Sequence, residues 1–446
     1  MASSVTKSLA SISLEERQHF PQELIDLLIE HIHQGLEKNE ARNALEACTL
    51  VSRSFSAKSR KHLLSAIVIS ERVPDLVGRR SHWSESKSAL RQQLESLSCL
   101  IESNSDFHTL IRKVHIQVGS QTLFGGSSGL HSVLGALASH ATNLETLWIT
   151  GNKIFPVSWP HSEQLIARPL NNLLSSVKFS HLRISSLSDL STDILMRCPS
   201  VRSFHLVSTT FRKTENASSQ SISHPTSLEQ LDLQLCINAF HENLSHLNID
   251  LSNLRRLRLQ IEDHRDSSSA RDLIEGARLS LRSLELQLLV PYQLLIPAHS
   301  LPEASIDISR FPKLVNLRLR IHTKMSRVMP SMEEIFVLLT HPTRPTRLRS
   351  IEIDLNASVW LPEVPHFFEN GDPAWSVLDP DNLREKHPLL QSVSVKLDLR
   401  VNLPPRHPGL MREDMARSLK STILSFILPP SRRSIAAILN VDVIVS

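Results

Sequence analysis

Glycine is scarce in this chain, with 11 residues among 446. Neither GxGxxG nor GxxxxGKS/T occurs, which excludes the usual dinucleotide- and phosphate-binding loops, because both need closely spaced glycines around the phosphates. HExxH is absent as well, so no zinc-protease helix is present. The sequence therefore predicts a protein that is not an enzyme and needs no cofactor.

Cysteines and long apolar runs are also few. The four cysteines are widely spaced and form no CxxC pair, as expected for a reduced, intracellular chain of the cytoplasm or nucleus. The amino-terminal stretch has no apolar core of signal-peptide length, and no run is long enough to span a bilayer, so no membrane partner is expected. His31 and His33 would point to different faces of a helix, so no metal site is predicted.

Aromatic residues make up only 4% of the chain, and the formal net charge is +4 with the histidines neutral. Proteins that bind single-stranded nucleic acid combine basic clusters with aromatic residues, and no such cluster occurs here. A mildly basic balance without a strong field of one sign is only weak support for nucleic-acid binding. A nucleic-acid partner is therefore not expected.

What the chain does contain is a recurring apolar phrase, LxxLxL. Its spacing of 26 to 42 residues lies at or above the roughly 20–29 residues of leucine-rich repeats. Asn152 and Cys236 follow two of the copies at the Asn-or-Cys position of that consensus, where a side chain can satisfy backbone groups. The copies begin at Ile111, Leu144, Leu174, Val201, Leu228, Leu254, Leu281, Leu314, Leu348 and Leu390.

Apolar and polar residues alternate within each copy. In LETLWI, Leu144, Leu147 and Ile149 would face a core while Thr146 and Trp148 face solvent, as in a strand with one buried face. Strands of a doubly wound sheet are buried on both faces, whereas LRRLRLQI and LVNLRLRI carry arginines at outward positions. The predicted fold class is therefore α/β: a leucine-rich-repeat solenoid with a parallel concave sheet, preceded by a helical module.

The central outward residues of the predicted strands form a column across the sheet. From Asp232 to Glu352 their charge alternates in sign, so each would face an opposite charge on the next strand, at roughly 0.2–1 kcal/mol per pair. The column is either a recognition strip for a protein target or a self-neutralising ladder that only supports the sheet. Its arginines also suggest binding of phosphate or acidic peptide, which the acidic neighbours oppose. The candidate target-binding residues are Trp148, Lys178, His205, Asp232, Arg258, Glu285, Arg318 and Glu352.

Trp148 is the hot-spot candidate in this column, because tryptophan often dominates recognition energetics. The alternative is that a neighbouring loop covers it.

Three segments follow one another along the chain. Residues 1–19 are Ser-rich and predicted to be a disordered tail, residues 20–62 a helical module, and residues 63–446 the solenoid. A helix is predicted to begin at Pro21, and a second apolar helix runs through Leu50 and Val51. The Pro-rich stretch near residues 361–381 is predicted to be an insert, and the β-like ending LNVDVIVS either closes the sheet or forms a free tail.

The helical segment resembles the F-box-like module that opens many fungal proteins. The resemblance rests on Phe20 and Pro21, the acidic and apolar helix over residues 23–32, the phrase ACTLVSRSF and the following RKHLLSAIVI. It implies docking on a Skp1-like adaptor and, through it, on a cullin, so that the chain serves as substrate receptor of an SCF-type ubiquitin ligase. The adaptor contacts implied by the resemblance are Phe20, Pro21, Leu24, Leu27, Leu28, Leu50, Val51 and Phe55.

Other interpretations remain open at the level of the sequence. The same apolar residues could pack on one another and cap the first repeat, since a solenoid needs its open end covered. The chain could then be an interaction scaffold unconnected to ubiquitination. A GTPase-activating repeat protein is a third possibility, which would need an arginine or asparagine held at a nucleotide.

Overall fold

The solenoid is built from strand-and-helix units in a computed structural model that describes residues 21–35, 38–70, 83–118, 128–152, 157–158, 163–192, 194, 197–212, 225–289, 307–324, 339, 344–360, 380–402, 414, 417–418, 420–421 and 439–445. The predicted tail over residues 1–19, Phe20 and most of the Pro-rich insert lie outside these described residues. No helix in the described part is long and apolar enough to cross a membrane. In the same residues, no three His, Cys, Asp or Glu side chains come together as a metal site.

Ten α-helices are present in the described part of the chain. Their bounds are α1 Gln22–Gly35, α2 Lys38–Cys48, α3 Arg53–Leu63, α4 Trp83–Ser103, α5 Ser105–Leu110, α6 Ser128–His140, α7 Glu163–Ser176, α8 Ile237–Leu247, α9 His264–Gly276 and α10 Pro380–Lys386.

The strands include twelve of the main sheet and six of two residues each. Their bounds are β1 Ala66–Ser70, β2 Lys113–Gln117, β3 Thr146–Thr150, β4 Val157–Ser158, β5 His181–Ser185, β6 Leu187–Ser188, β7 Leu190–Ser191, β8 Ser203–Val207, β9 Phe211–Arg212, β10 Thr226–Ser227, β11 Gln230–Gln234, β12 Ile249–Asp250, β13 Arg256–Ile261, β14 Ser283–Leu289, β15 Asn316–Lys324, β16 Ser350–Trp360, β17 Ser392–Asn402 and β18 Leu439–Val445.

One parallel sheet of twelve strands runs through the molecule in chain order, β1-β2-β3-β5-β8-β11-β13-β14-β15-β16-β17-β18. Every neighbouring pair is parallel, from β1 with β2 to β17 with β18. The strand β18 corresponds to the carboxy-terminal LNVDVIVS, which closes the sheet as one of the two expected alternatives. The α/β repeat fold predicted from the sequence is thereby confirmed.

The register aligns the leucines of successive repeats in a continuous core. Leu231, Leu257, Leu284, Leu317 and Ile351 occupy equivalent positions on five adjacent strands, and each is at most 2% exposed. Full burial of such a side chain contributes about 1.5–3 kcal/mol. Because each repeat buries its apolar side chains against those of the next repeat, the core is extended by every added repeat, as the LxxLxL spacing predicts.

Tight turns follow the strands. Ser186, Ser208 and Leu235 come directly after β5, β8 and β11, and each has a positive φ of 47° to 58°. Gly151 holds the corresponding place after β3: its N–H donates to the Ser185 carbonyl at 2.7 Å, and an added Cβ would lie 2.0 Å from the Ser186 carbonyl oxygen. Glycine is required there by this close approach of two backbones.

The repeat that LSSVKF was expected to start is displaced. The structure ends α7 at Ser176, and the strand β5 begins only at His181. Leu174, Val177 and Phe179 match the apolar pattern because they are buried against the core at the end of a helix and in the turn after it. The true copy starts at Phe179, in FSHLRI, so Lys178 does not lie on a strand and Arg183 takes the outward position instead.

The first three helices form a module with a small core of its own. Ile25, Ile29 and Leu45 are buried together, and Ile32, Cys48, Phe55 and Leu63 pack partly against them. This cluster is separate from the solenoid core, which includes Ile69 of β1 and has Leu64 and Ile67 packed against it. The sequence prediction extended α2 through Val51, but the helix ends at Cys48, and Ser52 caps the next helix by accepting the N–H of Phe55.

Candidate functional site

Helix α1 divides its apolar residues between two faces. Ile25 and Ile29 point inward and are 4% and 0% exposed, whereas Leu24, Leu27 and Leu28 are 48%, 66% and 44% exposed. Residues three and four positions apart share a face of a helix, so the spacing of the three leucines places them together. These leucines are therefore not needed to fill the core of the module.

The turn between α2 and α3 exposes two further apolar side chains. Leu50 and Val51 follow the end of α2, with their N–H groups bonded to the carbonyls of Ala47 and Cys48, and they are 87% and 65% exposed. We call Leu24, Leu27, Leu28, Leu50 and Val51 the exposed apolar set. Ten large hydrophobic residues are exposed in the described part of the chain, and these five make up half of them.

The remaining predicted adaptor residues differ from this set. Pro21 is exposed just before α1, Phe55 is half-buried and packs against the core of the module, and Phe20 lies outside the described residues. The alternative in which all these residues pack on one another accounts for Phe55. It does not account for the exposed apolar set, whose side chains face solvent.

One ion pair and one histidine–carboxylate contact link α3 to α1. Lys58 Nζ lies 3.6 Å from Asp26 Oδ2, and His62 Nε2 lies 3.4 Å from Glu30 Oε2. The rings of His33 and His62 are 4.7 Å apart. Burial, followed by the charge of His33, lowers the pKa of His62. The arrangement fixes the helix that carries Leu24, Leu27 and Leu28.

The second surface is the solvent-facing side of the sheet, which we call the open face. Its central column follows the register from strand to strand, with Arg183 in the place expected for Lys178. Sequence reasoning missed Arg183 because the helix end imitated the LxxLxL pattern five residues earlier; the following FSHLRI was the signal that could have found it. The column reads His115, Trp148, Arg183, His205, Asp232, Arg258, Glu285, Arg318, Glu352 and Ser394.

Trp148 is stacked between its neighbours on the adjacent strands. The ring of His115 lies parallel to it, with centroids 3.8 Å apart and planes 8° from parallel, and the guanidinium carbon of Arg183 lies 4.2 Å from the Trp148 ring centre. Trp148 remains half-buried. Two neighbours of the same column thus fix the plane of the indole.

An alternating charge ladder occupies the centre of the open face. His205 Nδ1 lies 2.7 Å from Asp232 Oδ2, and Arg258 lies 3.6 Å from Asp232 and 3.2 Å from Glu285. The predicted facing of opposite charges is therefore confirmed in register for Asp232, Arg258 and Glu285. The spacing makes this stretch self-neutralising.

Toward β16 the ion pairs run both directly across the strands and diagonally, and they use residues that sequence reasoning did not single out as a pair. Arg318 lies 3.3 Å from Glu352 and 2.7 Å from Asp354, while Arg320 lies 3.1 Å from Glu285 and 3.3 Å from Asp354. Hydrogen bonding to Asp354 and the nearby carboxylates raise the pKa of Arg318 above its ordinary value, although burial opposes them. The alternating LRLRI and IEIDL phrases place Arg320 and Asp354 two residues beyond the column and were the available signal.

These ion pairs affect two alternatives that need an unpaired arginine, namely binding of phosphate or acidic peptide and GTPase activation. Arg258, Arg318 and Arg320 all have carboxylate partners within 3.6 Å. An arginine bound in this way is a poor candidate for insertion at a nucleotide or for capture of a free phosphate.

Lys178 lies instead in a groove at the amino ends of the strands. It is exposed in the turn between α7 and β5, and the same groove is lined by Arg202, Glu229 and Arg255. Arg202 pairs with Glu229 at 3.3 Å. Lys178 therefore belongs to an edge of the sheet and not to the column of target-binding candidates.

Comparisons with known proteins give little to add to this geometry. No protein-family model matches the chain, and no curated protein matches it. Among solved structures, a chain of the crystal structure of the Rad7 and Elc1 complex in yeast aligns with 15% identity and a TM-score of 0.35, covering 91% of this chain and 95% of that one. So low a TM-score carries no functional information, so the two surfaces are interpreted from their own residues.

Proposed function

We propose that this chain is the non-catalytic substrate-recognition subunit of an SCF-type (Skp1, cullin and F-box) ubiquitin ligase. The observation that carries the proposal is the exposed apolar set: three leucines of α1 and two residues after α2 face solvent while other residues complete the core of the module. Large apolar side chains grouped on the uncovered face of a helix, as Leu24, Leu27 and Leu28 are, favour an interaction site. A Skp1-like adaptor is the partner that the resemblance of this segment implies.

An adaptor would gain free energy by covering the exposed leucines of the module. Burial of one leucine stabilises a complex by about 1.5–3 kcal/mol before the costs of association are subtracted. Leu27 and Leu50, at 66% and 87% exposed, retain most of that potential in the free chain. Because Ile25 and Ile29 already fill the interior, docking would not require the module to unfold or repack.

The second part of the function belongs to the open face of the sheet. The module lies at the β1 end of an array that offers eleven further strands in sequence order. A target held on that face would be tethered near the ligase, and tethering raises its effective concentration without new chemistry in this chain. No cofactor or metal is needed for such a role.

The test is co-purification with a Skp1-like adaptor expressed together with the full-length chain. We expect Leu27→Lys and Leu50→Lys to reduce retained adaptor at least tenfold, because each places a charge in the proposed apolar contact. Leu279→Lys is the matched control, since Leu279 is 64% exposed and lies after α9, away from the module. Unchanged far-ultraviolet circular dichroism and melting temperature would show that all three variants fold.

Two outcomes would contradict the proposal. If the unaltered chain retains no adaptor, the receptor role fails and an interaction scaffold unconnected to ubiquitination remains. If Leu279→Lys removes as much adaptor as Leu27→Lys, the contact does not reside in the module.

A further inference from the structure

The open face changes character between its two halves. From β11 to β16 the central column consists of paired charges, as described above. On β3 and β5 it consists of Trp148 and Arg183, and no carboxylate among the described residues lies within ion-pair distance of the Arg183 guanidinium. This contrast, between arginines with carboxylates at ion-pair distance and one whose neighbour among the described residues is an aromatic ring, points to a binding site.

Arg183 is held in place without being neutralised. Its guanidinium lies 4.2 Å from the Trp148 ring centre and its side chain is half-buried. The Nε atom of Arg183 and the Nε1 atom of Trp148 are both buried and have no acceptor within the described part of the chain. Burial of the guanidinium lowers the pKa of Arg183, and the charge of Arg258 acts in the same direction. Such a group is stabilised by an incoming anion.

Asp232, the nearest carboxylate along the central column, already contacts other side chains. Asp232 lies 2.7 Å from His205 and 3.6 Å from Arg258, and it accepts a hydrogen bond from Gln234 at 3.1 Å. It still influences Arg183 electrostatically, since it acts to raise the pKa of that residue. An anion that binds Arg183 must therefore tolerate a negative charge nearby.

We propose that Trp148 and Arg183 form a subsite for a single carboxylate of the target protein, the side chain of a glutamate or aspartate in an exposed segment. A guanidinium presents paired N–H donors that match a planar carboxylate, and the stacked indole fixes their plane. A phosphate dianion fits less well, because its second charge would be repelled by Asp232. This inference deepens the proposed function by naming the chemistry of the target segment.

The test uses synthetic peptides with acetylated and amidated ends and full-length protein carrying ¹⁵N-labelled tryptophan. The probes are Ala-Ala-Glu-Ala-Ala, the same peptide with glutamine or phosphoserine at the centre, and a version whose only carboxylate is its free carboxy terminus. Binding is followed through the indole N–H resonance of Trp148, which the spectrum of Trp148→Phe identifies. We expect the glutamate peptide to shift this resonance with a Kd at least tenfold lower than that of the glutamine peptide.

Protein variants give the second arm. Arg183→Gln should weaken the glutamate peptide at least tenfold, and Arg183→Lys should restore only part of the affinity, because an ammonium lacks the planar donor pair. Arg256→Gln is the control, since Arg256 is an exposed arginine elsewhere on the same face and should have no effect.

Each contrary result overturns the proposal. These results are equal binding of the glutamine peptide, tenfold tighter binding of the phosphoserine or free carboxy-terminal peptide, an Arg183→Gln variant with unchanged affinity, and no shift with any probe. Adaptor co-purification by Arg183→Gln is measured in parallel and should remain intact. If the unaltered chain does not retain adaptor, the receptor role fails, whatever the peptides show. Failure of the carboxylate subsite and failure of the receptor role are therefore distinguishable.

Discussion

The charge ladder of the open face can be tested at Arg258, which lies between two carboxylates. Arg258→Gln removes the contacts to Asp232 at 3.6 Å and to Glu285 at 3.2 Å. Neither acid is left alone, because Asp232 keeps His205 and Glu285 keeps Arg320. We therefore expect Arg258→Gln to lower the free energy of unfolding by about 0.5–2 kcal/mol, which is less than the cost of leaving a buried charge without a partner.

A double-mutant cycle isolates the pair. The Arg258 and Glu285 side chains are 31% and 21% exposed, so solvent screens their attraction only in part. The expected coupling energy between Arg258→Gln and Glu285→Gln is about 0.2–1 kcal/mol, as for other cross-strand pairs of opposite charge. Arg202 and Glu229 provide the control pair, because they are 70% and 37% exposed at a similar distance, and their coupling should be smaller.

The assay is urea unfolding followed by far-ultraviolet circular dichroism, at low salt and again in 1 M sodium chloride. Screening should reduce the coupling at high salt without removing it. A coupling energy of zero for Arg258 and Glu285, or one no larger than that of the control pair, would refute the view that the ladder stabilises the sheet. Of the two interpretations of the alternating charges, recognition of a protein target would then be the one that remains.

Three further predictions concern stability. Leu235→Asn should raise the free energy of unfolding by about 0.5–1 kcal/mol, because Leu235 holds a positive φ of 58° that asparagine tolerates better; a lower urea midpoint would contradict this. Gly151→Ala should lower the melting temperature sharply, because its Cβ would lie 2.0 Å from the Ser186 carbonyl, while Gly135→Ala, with open space around it, should not. Burial lowers the pKa of His387 below 6.5, so the unfolded chain takes up a proton at a higher pH than the folded chain does. The stability that the neutral imidazole contributes is complete above about pH 6.5 and is lost as the pH falls. His387→Gln should therefore reduce the dependence of the melting temperature on pH, and an unchanged slope would exclude this residue as its cause.

The periodic part of the fold was predictable because its cause is local. Leu257, Leu284 and Leu317 repeat at nearly constant spacing, and a half-buried strand requires that alternation, so strand order, parallel pairing and the inward face all followed from the pattern. The exposed face followed too, since Arg258 and Glu285 occupy the positions between leucines.

What the pattern could not supply was the distinction between a helix end and a strand start. Leu174, Val177 and Phe179 satisfy LxxLxL, yet they belong to the last turn of α7 and the segment after it. Burial at a helix end and burial on a strand leave the same apolar letters over six residues. The error moved the outward position from Arg183 to Lys178 and thereby hid the arginine that stacks on Trp148.

In the helical module, composition alone could not separate core from contact. Leu28 and Ile29 are neighbours in sequence and similar in hydrophobicity, yet they are 44% and 0% exposed. Only the packing of α2 and α3 decides which face of α1 is covered. The resemblance named Leu24, Leu27 and Leu28 as contact residues, and the structure leaves them on the uncovered face, whereas Phe55 is partly used by the core.

Arginines in the two halves of the open face differ in their capacity to bind a further anion. An arginine with two carboxylates, such as Arg318, has little to gain from a further anion, because each new contact must displace an existing one. Arg183 has no such competitor among the described residues, and Trp148 already fixes its orientation, so less conformational entropy would be lost on binding. A target segment that explores the whole sheet would therefore gain most at β3 and β5, even though positive and negative charges are more numerous from β11 to β16.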